Sequence, residues 1–175
     1  QDRSSAASDV YKRQINNKPS AIRYPRDFAY EYNNNNNFQK IFIGKGKILK
    51  KGKRIAFLNL GTRLKKVLEI NEMIKNHHKL NCTVVDMRFA KPIDTKLIQN
   101  LNKTHDIFIT IEENAIGGFS SQVNDFLINK LNKTPKILNF FMKDEFIDQS
   151  DIDDQYNKSG ISKELIFDKV SMLLK

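Results

Sequence analysis

The sequence predicts an α/β fold, a mostly parallel (mixed) sheet with helices on both faces. Apolar runs near residues 54–60, 83–89, 107–111 and 136–141 alternate with stretches of helical period. These runs are nearly continuous in Val, Ile, Leu and Phe, the mark of strands buried on both faces. Most of the runs close in turn or charged residues before a helix opens, so chemistry-bearing side chains collect at the carboxyl ends of the strands, where open α/β sheets bind ligands.

Residues 1–14 (QDRSSAASDVYKRQ) are rich in Ser and Ala, whereas the remainder is rich in Asn, Lys and Ile. They carry no period that continues into Ile15, and the expectation is a foreign segment ahead of a fragment. Ala21 to Tyr24 reads as a short strand closed by Pro25, at the tail of one domain spanning 15–30. Residues 31–40 contain five consecutive asparagines, too polar to bury a core, and read as a linker. The domain proper spans 41–175.

Ile41 to Ile43, Gly44, Gly46, Ile48 and Leu49 lead in as a strand or hairpin. Arg54 to Leu60 is a strand that turns at Gly61, with Thr62 as N-cap of a helix striped by Leu64, Val67, Leu68, Met73 and Ile74, Ile70 lying off the stripe. Thr83 to Phe89 follows, then Pro92 and Asp94 open a helix carrying Leu97, Ile98 and Leu101. Ile107 to Ile111 leads through Gly117 and Gly118 into a helix with Val123, Phe126, Leu127 and Leu131. After Lys136 to Phe141, residues Asp144 to Asn157 read as an irregular acidic loop, and Ser162 caps a last helix striped by Leu165, Ile166, Val170 and Leu174.

At 175 residues the chain needs neither disulfide nor metal to fold. Cys82, its one cysteine, lies in an apolar run and reads as a buried hydrophobe, which fits a reducing compartment. No apolar run approaches the roughly 20 residues of a membrane span, and no signal peptide is visible. The net charge of +10 is dispersed, densest between Lys45 and Arg54, without aromatic interleaving. That pattern is a solvated basic surface, and nucleic acid and membrane are set aside as partners.

Several constellations could carry chemistry. Pro25 presents Arg23 and Arg26 on a rigid stalk, suited to gripping a phosphate or carboxylate, though a plain surface pair fits as well. Glu112 and Glu113 are adjacent on a strand and point to opposite faces, so they cannot act as one dyad. A role in capping the next helix or pairing with Arg88 competes with acid–base or metal chemistry. Gly117-Gly118 lacks dinucleotide spacing, and the acidic loop from Asp144 to Asp154 lacks EF-hand spacing. His77 and His78 end a helix, and His105 has no metal-spaced partner. Spacing alone assembles no complete active site.

The segments PSAIRYPR (19–26), IGKGKIL (43–49), LNLGT (58–62), TVVDMRFAKPID (83–94), ITIEENAIGG (109–118) and DEFI (144–147) together resemble the carboxyl-terminal part of the 1-deoxy-D-xylulose-5-phosphate synthase family. These are thiamin-diphosphate enzymes of the transketolase-like group. Phe89, Lys91 and Asn114 favour that family over transketolases and 2-oxoacid dehydrogenase β subunits. The resemblance implies a transketolase carboxyl-terminal-like domain, and a full-length enzyme condensing pyruvate with glyceraldehyde 3-phosphate for isoprenoid, thiamin and pyridoxal precursors. It implies thiamin diphosphate and Mg2+ held by regions upstream, no catalytic, cofactor or metal ligand in this chain, a homodimer, and a cytoplasmic or plastid location. Arg26, the second Arg of RYPR, is implied as the ligand of the acceptor's phosphate. Asp27 stands where the family commonly has Gly, Ser120 replaces a Gly, and Met142-Lys143 precede DEFI where the family has LP.

Overall fold

The computed structural model describes residues 41–174. The segments 1–14, 15–30 and 31–40, with the Arg23 to Arg26 stalk, Asp27 and the asparagine run, lie outside the described residues. Five strands, β1 (Lys47–Lys50), β2 (Arg54–Asn59), β3 (Thr83–Asp86), β4 (His105–Ile111) and β5 (Lys136–Phe140), form one sheet in the order β1-β3-β2-β4-β5. β2 to β5 are mutually parallel, and β1 joins β3 antiparallel, so the sheet is mixed as the sequence predicts.

The helices are α1 (Leu64–His78), α2 (Thr95–Asn102), α3 (Phe119–Asn129), α4 (Ile152–Ser159) and α5 (Lys163–Met172). Strand alternation sorts them into two layers. Ile55 and Phe57 of β2, with Ile107, Ile109 and Ile111 of β4, meet Val67, Ile70 and Ile74 of α1 and Ile166 and Val170 of α5. Ala56, Leu58 and Phe108 point the other way, onto Ile98 and Leu101 of α2 and Phe119, Val123 and Leu127 of α3. Ile70 is fully buried, so the apolar stripe of α1 is wider than its sequence period indicates. Truncating such a residue to Ala costs about 2–5 kcal/mol.

Four local readings change. The lead-in forms only the short strand β1, because residues 41–46 turn through Gly44 at φ +70. β3 ends at Asp86, because Arg88 takes a left-handed conformation with φ 59 and breaks the strand before Phe89. Thr62 does not cap α1. Arg63 holds the N-cap position without a side-chain cap bond, and the Thr62 hydroxyl is bonded to Glu113 instead. The acidic segment contains α4, with Asp153 and Asp154 in its first turn, Lys158 in its last and Gly160 closing it at φ +79. That distribution follows the helix dipole, which outweighs the mutual repulsion of the acids.

Cys82 is fully buried, and burial pushes its thiol up to about 12. At pH 8 it should resist alkylation until the protein unfolds, with labelling tracking the denaturation curve. Rapid stoichiometric labelling of native protein would show this packing to be wrong. No helix among the described residues is long and apolar enough to cross a membrane.

Candidate functional site at the carboxyl edge of the sheet

The chain leaves β2 toward β3 on one side, while β4 lies on the other. The carboxyl ends of β2 and β4 therefore flank the topological switch point, the position at which open α/β sheets receive ligands. The loop leaving β2 is fixed by Leu60 N–H donating to Ile111 O at 2.9 Å and by Asn59 Nδ2 donating to Gly61 O at 3.0 Å. Gly61 at φ +90 makes the turn that L side chains rarely adopt.

Opposite faces separate the two glutamates at the end of β4. Glu112 is fully buried on the α3 side. Its carboxylate accepts the N–H groups of Phe119 and Ser120, each at 2.7 Å, and the Asn114 Nδ2 at 3.3 Å. It is the cap of α3, supplied from β4 because Gly118 at the N-cap has no side chain to offer. The competing partner, Arg88, pairs with Asp86 at 3.3 Å instead. Glu113 faces the α4 side and accepts the hydroxyls of Thr62 and Tyr156 on one oxygen. Three segments distant in sequence are joined there.

The Arg63 guanidinium stacks on the Tyr156 ring, 3.7 Å from its centroid, and Nη2 donates to Ile161 O at 2.8 Å. The Tyr156 hydroxyl is pushed above the usual phenol range, first by burial and then by its bond to Glu113 and that carboxylate's charge; Thr62 and Arg63 act against the shift. The phenol thus stays protonated and donates to Glu113 through the neutral pH range.

The remaining candidates are structural in this geometry. Asp94 caps α2 through Leu97 N–H at 3.1 Å and ties the lead-in loop through Gly46 N–H at 3.2 Å. Lys91 stands exposed beside Pro92. His105 is buried, with Nε2 2.7 Å from Thr83 Oγ1 and Nδ1 3.0 Å from Leu101 O. His78 Nε2 lies 3.0 Å from Ser171 Oγ, and His77 packs on Phe167. Among the described residues no three His, Cys, Asp or Glu side chains gather to hold a metal ion. The carboxylates at the switch point face apart and are occupied by N–H and O–H donors, so these residues do not form a cradle for a magnesium diphosphate.

Sequence reasoning missed the Thr62, Arg63, Glu113 and Tyr156 cluster because it read 144–157 as loop. The usable signal was Asp153-Asp154, Lys158 and Gly160, which together frame a helix around Tyr156.

Residues 44–166 match the model of the transketolase C-terminal domain. The chain is 39% identical over 163 residues to the 1-deoxy-D-xylulose-5-phosphate synthase of Psychromonas ingrahamii, covering 90% of this chain and 25% of the relative. It is 48% identical over 139 residues to the synthase of Aliivibrio fischeri, covering 75% of this chain and 21% of the relative. The chain thus spans about a quarter of the length of the curated relatives it matches. Among solved structures it resembles a split-gene transketolase, determined as an inactive β4 tetramer, with TM-score 0.67 and 27% identity over 78% of this chain and 43% of that one. A 2-oxoglutarate:ferredoxin oxidoreductase from Magnetococcus marinus shares the fold, with TM-score 0.51, 13% identity, and coverage of 77% of this chain and 20% of that one.

Proposed function

This chain belongs to the transketolase C-terminal domain family, and from that membership we propose that it is the carboxyl-terminal part of a 1-deoxy-D-xylulose-5-phosphate synthase. The observation that carries the reading is the 48% identity to a synthase over 139 residues, against 27% to the split-gene transketolase. In this reading the full-length homodimeric enzyme condenses pyruvate with glyceraldehyde 3-phosphate, releasing CO2, in a cytoplasmic or plastid compartment. Thiamin diphosphate, with Mg2+, supplies the carbanion chemistry, held by regions outside this chain. Residues 15–30 are the tail of the preceding domain, 31–40 the linker, and 41–175 the third domain, which buttresses the dimer.

The geometry of the third domain suits that supporting role. Glu112 and Glu113 are spent on holding α3 and α4 in place, leaving the edge rigid. The chain alone should show no synthase turnover, and turnover above background would sink this division of labour.

Arg26 anchors the phosphate of glyceraldehyde 3-phosphate in this proposal. A charged hydrogen bond of about 1.5–3 kcal/mol corresponds to a change of about 10- to 150-fold. Arg26→Ala in the full-length enzyme should therefore raise the KM for glyceraldehyde 3-phosphate by at least about tenfold and leave that for pyruvate nearly unchanged. Equal effects on both substrates would make Arg26 structural.

A further inference from the structure

We draw no further inference here: the strongest candidate, the apolar groove at the carboxyl edge of the sheet lined by Ala115, Met142, Phe146 and Ile147, is an unpartnered face, and nothing among the described residues shows what covers it.

Discussion

Glu112→Ala should destabilise the protein by about 4 kcal/mol, read as a lowered midpoint in urea with an unchanged slope. The side chain is fully buried and receives two backbone N–H groups at 2.7 Å. Removing it orphans both donors at the start of α3 and opens a cavity beneath Gly118. The loss of a helix cap accounts for about 1 kcal/mol, and the charged character and burial of these bonds supply the rest. Glu112→Gln should fall near half that loss, since an amide keeps one acceptor and turns a donor toward a donor. Glu113→Gln should cost about 1 kcal/mol, because that side chain is only partly buried and its donors are hydroxyls that can rotate to water. If Glu112→Ala loses less than 1 kcal/mol, the carboxylate is not the cap.

Gly52→Ala should cost about 3 kcal/mol or more, because there is no room for a side chain there. A Cβ there would stand 2.1 Å from Asn81 O and 2.4 Å from the carbonyl carbon of Cys82, both backbone atoms that cannot swing aside. Gly52 N–H also donates to Thr83 Oγ1 at 3.0 Å, and that hydroxyl contacts His105 Nε2 at 2.7 Å. Moving the loop away breaks this buried chain of bonds as well as the contact. Gly61→Ala is the useful contrast, because its Cβ would meet nothing within 4 Å and only the φ of +90 is strained. It should cost about 1 kcal/mol. Comparable losses at the two glycines would mean that the close approach at Gly52 is not real.

The strand–helix alternation was legible because β2 and β4 are buried on both faces and need unbroken apolar runs such as Ile55 to Leu58. Asp94 could be placed at the start of α2 from spacing, whereas the sequence left the glutamates after β4 open between capping α3, pairing with Arg88 and acid–base or metal chemistry, a choice that only the packing of α3 over Glu112 decides. The α4 helix was not legible. Its composition is acidic, and Tyr156, which anchors it, gains its place from Arg63 some ninety residues away and from Glu113, contacts no local pattern encodes. Thr62 shows the same limit. It looks like an N-cap from sequence, but the nearer charge of Glu113 takes its hydroxyl. The separation of the two glutamates follows directly from strand alternation, whereas the use each is put to depends on which helix lies over that face.

Our proposal that this domain completes a synthase is tested most directly by the product that the complete gene product forms. Supplied with pyruvate, glyceraldehyde 3-phosphate, thiamin diphosphate and Mg2+, that enzyme should release CO2 and form 1-deoxyxylulose 5-phosphate in equal amounts. Failure with pyruvate, together with two-carbon transfer from a ketose phosphate or acyl transfer to a lipoyl acceptor, would contradict the account and place the chain in a transketolase or a 2-oxoacid dehydrogenase.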